Sequence, residues 1–166
     1  MLIMIMTGSF AVAQGINQKV WDADLGKKVL VGEVDRQELQ QGEFGEYYKE
    51  EYDAYEPSPE VVNQIKDVLN KGTDLKMVVV FGEWCSDSQR EVPRFFKLVD
   101  ELGFQEKKIK IYAVNRKKEG VKADLSKYHI EYVPTFIIYE NGKERGRIVE
   151  APDNSLETDL LDMLKY

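Results

Sequence analysis

The sequence has a single cysteine, Cys85, and a single histidine, His129, among its 166 residues. One cysteine closes no internal disulfide, so the thiol is either a small buried hydrophobe or a group that reacts with partners. After residue 13 no segment approaches the ~20 consecutive apolar residues needed to cross a bilayer. Positive charge is also short: 23 Lys and Arg stand against 30 Asp and Glu, for a net −7. That balance argues against nucleic acid as a partner. Repeats and low-complexity stretches are absent. What is present is 43% hydrophobic residues, enough for one domain whose core needs no disulfide.

The acidity is uneven. Residues 14–74 carry 7 Lys and Arg against 14 Asp and Glu, which accounts for the whole net charge; residues 75–166 carry 16 of each. Such an excess reads as a solvated face. Residues 1–13 are apolar apart from Thr7 and Ser9 and end in Ala11-Val12-Ala13 before Gln14. Small residues at −3 and −1 suit a signal peptidase, so cleavage after Ala13 and a periplasmic or secreted location are expected. No Lys or Arg precedes the apolar run, and a buried N-terminal strand or helix is the alternative. Gln14 after the cut argues against a lipid anchor. An exported chain works where disulfides persist.

Three regions follow: a leader over residues 1–13, an acidic and mainly helical extension over 14–74, and an alternating domain over 75–166. In the extension, Val29-Leu30-Val31 reads as a short edge strand. Asp35-Arg36-Gln37-Glu38 has the form of a capping box. Gly42 and Gly45 read as interruptions of the helix it starts. Phe44, Tyr48, Tyr52 and Tyr55 then fall on one helical face, which is expected to pack on the main domain. Ser58-Pro59 opens a helix with Val61, Ile65, Val68 and Leu69 inward.

From residue 76 strands and helices alternate. Residues 77–81 form a continuous apolar run, as in a central strand covered on both faces. Residues 89–102 are helical, with Val92, Phe95, Phe96, Val99 and Leu102 inward and Gly103 as the stop. Residues 109–114 form a second strand and residues 123–128 a short helix. Residues 135–139 and 145–149 form two strands joined at Asn141-Gly142, a strong hairpin signal. Asn154 or Ser155 caps a last helix carrying Leu156, Leu160, Leu161 and Leu164. The order is β-α-β-α-β-β-α, an α/β class with a mixed sheet.

Cys85 falls between the central strand and its following helix. In an open α/β sheet, ligands bind at that edge. A helix N-terminus offers unpaired N–H groups and a partial positive charge, both favouring a thiolate. Asp87, a carboxylate two residues on, opposes a second anion and tunes the thiol. Ser88, one turn along, is placed to donate a hydrogen bond to the sulfur. Glu83, Arg90, Glu91 and Arg94 flank the site as surface charges, and His129 falls on a solvated loop. No metal or cofactor is implied.

The segment Trp84-Cys85-Ser86-Asp87-Ser88 resembles the W-C-x-x-C active site of the thioredoxin superfamily, with Ser88 at the second cysteine. Pro93, eight residues after Cys85, stands where that family kinks its active-site helix. Val133-Pro134-Thr135 resembles the cis-proline loop, which in the family faces the cysteine and pairs with substrate backbone. Phe136 to Lys143 is similar to the final hairpin. The resemblance covers residues 76–166 and implies a thioredoxin fold, with Trp84 covering the sheet edge and touching substrate. The W-C-x-D-S and V-P-T-F pattern most resembles exported thioredoxin-like proteins of Bacteroidetes-type bacteria.

Two departures shape the expected chemistry. The second cysteine is missing, and Val79 stands where many thioredoxins bury an acid that deprotonates that second thiol. A peroxiredoxin would need Thr rather than Gly82 three residues before the cysteine, and a copper chaperone would need a second cysteine. The resemblance then implies a monothiol redox protein. Its Cys85 forms mixed disulfides with client proteins or small thiols. The alternative is a non-catalytic binding module that holds extended peptide near Pro134.

Overall fold

A computed structural model of the chain describes residues 15–72, 74–120 and 123–165. The apolar stretch over residues 1–13 and the expected cleavage after Ala13 lie outside them. Six strands form one mixed sheet: β1 (Gln18–Asp22), β2 (Lys27–Glu33), β3 (Leu75–Phe81), β4 (Ile109–Ala113), β5 (Thr135–Glu140) and β6 (Lys143–Val149), in the order β1-β2-β4-β3-β5-β6. The apolar run of β3 is central, parallel to β4 on one side and antiparallel to β5 on the other. Asn141 and Gly142 both take positive φ in the β5–β6 turn, the backbone a two-residue hairpin loop requires.

The sheet faces are unequally covered. Met77, Val79 and Phe81 of β3 enter a large core built with helices α1 (Gly42–Ala54), α2 (Pro59–Leu69), α3 (Ser86–Leu102) and α4 (Leu156–Lys165). The alternate residues Val78 and Val80 meet a smaller cluster of Tyr112, Leu125, Tyr128, Val133 and Ile137. Among the described residues the segment after β4 covers this second face; its helical part is a single 3-10 turn, Ser126–Tyr128, rather than the longer helix expected over residues 123–128. Trp84 and Cys85 pack against this smaller cluster.

The acidic segment is more than a helical extension. It supplies a β-hairpin, and β2 is an inner strand, antiparallel to β4, with β1 as the edge. Asn17 and Asp35 close the hairpin's open end: Asn17 Nδ2 donates to Asp35 Oδ2 and Asp35 N–H donates to Asn17 Oδ1, each at 2.9 Å. The capping box is half formed. Asp35 Oδ1 accepts from Glu38 N–H at 2.9 Å, but Glu38 turns away to pair with Lys19 at 2.7 Å. The helix it starts is a single 3-10 turn, Glu38–Gln40. Gly45 lies inside α1 rather than interrupting it. A Cβ there would meet the Gln40 backbone at 2.5 Å, so only glycine lets the helix pack on the preceding turn. In α2 the buried positions are Val62 and Ile65, with Val61, Val68 and Leu69 only partly covered.

The aromatic stripe packs inward as its spacing suggests. The rings of Phe44 and Phe81 lie 5.2 Å apart, those of Tyr48 and Phe96 6.4 Å apart. Arg36 crosses from the hairpin to α3. Its Nη1 donates to Asp100 Oδ1 at 2.7 Å, its Nη2 to Asp100 Oδ2, and its Nε to Tyr48 Oη at 3.0 Å. Tyr52 donates to the same carboxylate at 2.6 Å. Burial pushes the Tyr48 hydroxyl up to about 12. Desolvation works against the Asp100 carboxylate, yet hydrogen bonds from Arg36 and Tyr52 hold it below its ordinary value.

This fork makes stability acid-sensitive. A carboxylate with a depressed native pKa contributes stability above its unfolded value, and that contribution disappears as pH falls through the native value. The loss is expected below about pH 4, the ordinary range of an aspartate. Asp100→Asn should lower the urea midpoint at neutral pH and flatten its fall in acid. Urea unfolding of both forms at pH ~7 and pH ~3 measures this; parallel curves would show that Asp100 does not carry the acid sensitivity.

Candidate active site

The turn from β3 into α3 folds around Gly82. Cys85 N–H donates to Gly82 O at 3.0 Å, and Gln89 N–H donates to Cys85 O at 2.9 Å, so Cys85 is the N-cap of α3. The loop's remaining polar groups are held by the first turn of the helix. Gln89 Nε2 donates to Glu83 O at 2.9 Å, and Gly82 N–H donates to Ser88 Oγ at 3.2 Å. The Trp84 ring lies over Gly82, where a Cβ would come within 2.6 Å of it. Its Nε1 donates to Val114 O at 2.9 Å. The indole thus lies over Gly82 and packs on the smaller cluster.

The thiol of Cys85 is partly exposed. Its Sγ–H donates to Val133 O at 3.2 Å. The Val133–Pro134 peptide bond is cis. Pro134 O accepts from Glu150 N–H at 2.7 Å, and Thr135 Oγ1 donates to Tyr132 O at 2.7 Å. The fold therefore brings Trp84, Cys85, Val133, Pro134 and Thr135, remote in sequence, to one end of the sheet.

Ser88 is placed differently from the expectation. It is fully buried, and its Oγ accepts from Gly82 N–H instead of donating to the sulfur. The sulfur's hydrogen bond goes to Val133. A hydroxyl one turn into the helix is oriented by the unpaired N–H behind it, because a buried backbone donor without a partner is costly. Ser88 thus shapes the loop that carries Cys85.

Asp87 is not an isolated anion. Its Oδ1 accepts from Arg90 Nη2 at 2.9 Å, and Arg90 Nε reaches Glu91 Oε1 at 2.6 Å. The flanking charges are not all at the surface. Glu91 is buried because α1 lies across α3, and Arg94 pairs with Glu51 of α1 at 2.7 Å. Glu83 is partly buried, and desolvation pushes its carboxyl up against a hydrogen bond from the Leu30 backbone and the charges of Lys19 and Lys27. His129 occupies an exposed left-handed turn. Gly82, whose role depends on a ring folding back, and Arg116, whose place beside Trp84 is set only by the fold, carry no signal in the sequence.

The thioredoxin family profile matches residues 59–162. Two rice (Oryza sativa subsp. japonica) proteins are similar. Thioredoxin Y, chloroplastic, is 33% identical over 91 residues, 54% of this chain and 51% of that one. Thioredoxin O, mitochondrial, is 30% identical over 101 residues, 59% and 56% respectively. The chain spans about half the length of these curated relatives. Among solved structures, Fasciola hepatica thioredoxin is 22% identical and aligns over 61% of this chain and 88% of its own, with a TM-score of 0.39. Oxidised thioredoxin O2 from Arabidopsis thaliana is 18% identical over 63% and 86%, also with a TM-score of 0.39. With the profile covering more than half of its length, the chain belongs to the thioredoxin family.

Proposed function

We propose that the protein exchanges thiols and disulfides through Cys85 alone, acting on exported clients outside the cytoplasm. The observation that carries this reading is the thiol's position: partly exposed, at the N-cap of α3, and 3.2 Å from a carbonyl of the cis-proline loop. The thiolate form of Cys85 is the nucleophile. The thiolate attacks one sulfur of a client disulfide; a Cys85–client disulfide forms and the client's other sulfur leaves as a thiolate. With no second cysteine, a thiol of the client or a small thiol then attacks the mixed disulfide and returns Cys85. A client thiol as the second attacker rearranges the client's disulfides with no net reduction, and a small thiol as the second attacker carries an adduct off as a small disulfide, so the cycle suits isomerisation and removal of small-thiol adducts. The export part of the reading rests on the apolar residues 1–13 and Ala11-Val12-Ala13.

Mass spectrometry after incubation with a glutathionylated peptide tests this. The natural protein should gain one adduct, mapped to Cys85, and a thiol chase should remove it. Cys85→Ser should gain none. A native protein that stays unmodified would instead support a binding module.

A further inference from the structure

Residues 115–119 follow β4 and form a turn held by one side chain. Asn115 Oδ1 accepts from Lys117 N–H at 3.0 Å and Glu119 N–H at 2.9 Å, and Lys118 N–H donates to Asn115 O at 2.8 Å. The turn carries Arg116, Lys117 and Lys118, and among the described residues none of the three makes an ion pair within 4 Å. Two of them reach the rings beside the thiol. The Arg116 guanidinium lies 5.6 Å from the centre of the Trp84 ring, and Lys118 Nζ lies 5.6 Å from the centre of the Tyr132 ring.

Those rings flank the reactive groups in sequence. Trp84 precedes Cys85, and Tyr132, 52% exposed, precedes Val133, the acceptor of the thiol's hydrogen bond. Other carboxylates lie close by: Glu119, Asp124 and Glu131 line one groove with Lys118. Asp87 pairs with Arg90 and Glu91 with Arg90 and Arg94. Glu119 accepts from Asn115 Nδ2 at 3.0 Å, and Glu131 lies within the field of Arg147. Asp22 and Asp24 line a shallow groove with Arg116 and Lys117. Asp22 accepts from Asp24 N–H and Leu25 N–H, and both carboxylates face Lys117 and Arg116 across the groove. A chain with a net charge of −7 nevertheless sets cations against the ring that precedes Cys85 and the ring that precedes Val133.

We infer that Arg116 and Lys118 select clients whose reactive cysteine is flanked by acidic residues. This rests on the exchange chemistry proposed above and names its substrate class. A cation on an aromatic face is held in place while its N–H groups remain free toward solvent. An extended peptide bound across Trp84 and Tyr132 would set its flanking side chains against these two charges. Exposed pairs of this kind act mainly on encounter rate and discrimination, and salt screens them.

The test uses two fluorescent peptides, each with one cysteine in a mixed disulfide with a coloured aromatic thiol. One has Asp on both sides of the cysteine, the other Lys. Attack by Cys85 on the peptide sulfur releases the coloured thiolate. At low salt the Asp peptide should react roughly three- to tenfold faster than the Lys peptide. High salt or the double variant Arg116→Gln, Lys118→Gln should shrink that ratio towards one. Lys143→Gln, at the opposite end of the sheet, should leave the ratio in place. Equal rates for both peptides, or a ratio that survives the double variant, would overturn the inference. A second readout does not need the chemistry: anisotropy of the same peptides, cysteine blocked, on Cys85→Ser protein. Tighter binding of the Asp peptide that depends on Arg116 and Lys118 supports the inference even if no exchange occurs, and in that case the exchange reading alone fails. Equal binding of both blocked peptides without exchange overturns both.

Discussion

Ser88→Cys should close an internal disulfide with Cys85 and reduce a protein disulfide faster than the natural protein, which must wait for an outside thiol to resolve its mixed disulfide. Cys85 caps α3 and Ser88 lies one turn on, fully buried at the base of the same loop. Residues three apart at a helix start fall within the span a disulfide bridges. A thiol placed there attacks the mixed disulfide intramolecularly, at an effective concentration that dissolved thiols do not reach. With dithiothreitol as donor, the rate of an insulin-type reduction should rise on the order of tenfold or more. Two features limit the gain. The Gly82 N–H exchanges an oxygen acceptor for a weaker sulfur. Val79 is fully buried between Ile111 and Phe136, so no acid stands ready to deprotonate the new thiol. Adding Val79→Asp would supply one at a cost of about 1–3 kcal/mol or more, for a carboxyl placed in an apolar cluster. A natural protein that turns over as fast as Ser88→Cys would contradict the single-thiol mechanism.

Phe44→Ala should cost about 3–5 kcal/mol, the range for truncating a buried phenylalanine. That is a large share of the 5–15 kcal/mol by which domains are stable. Phe44 lies on α1, in the acidic segment, and is 4% exposed. Its ring contacts Phe81, the last residue of β3, where the chain enters the site loop. The segment therefore supports the strand end that positions Cys85. Trp21→Ala, on the same segment but 66% exposed, should change stability by less than about 0.5 kcal/mol. Urea midpoints of the two variants check both statements. A Phe44 cost below about 1 kcal/mol would mean that α1 only leans on the sheet.

The elements legible in the sequence are those whose local and tertiary demands agree. The apolar run of β3, the inward stripe of α3 with Gly103 in the left-handed C-cap, and the Asn141-Gly142 turn all carry their cause in neighbouring residues. Ser155, whose Oγ accepts from Thr158 N–H at 3.2 Å, is the cap the last helix called for. Strand β1 was not legible: Gln-Lys-Val-Trp-Asp has one apolar residue of each facing and owes its conformation to pairing with β2. Glu91 looked like a surface charge because its spacing on α3 carries no sign of α1 lying across it. The thiol, the indole and the cis-proline loop were readable as a resemblance. The partners of Ser88 and Asp87 were not, since a hydrogen bond to Gly82 and an ion pair to Arg90 are choices the packed loop makes among several local options.

The central claim is that Cys85 is a reactive thiol in the folded protein. Titration of the native chain with an aromatic disulfide reagent tests it most directly, followed by the absorbance of the released thiolate. The account predicts one equivalent released per chain without denaturant, faster than from an unfolded chain at the same pH. No release until denaturant is added would contradict it and leave Cys85 as a packing residue.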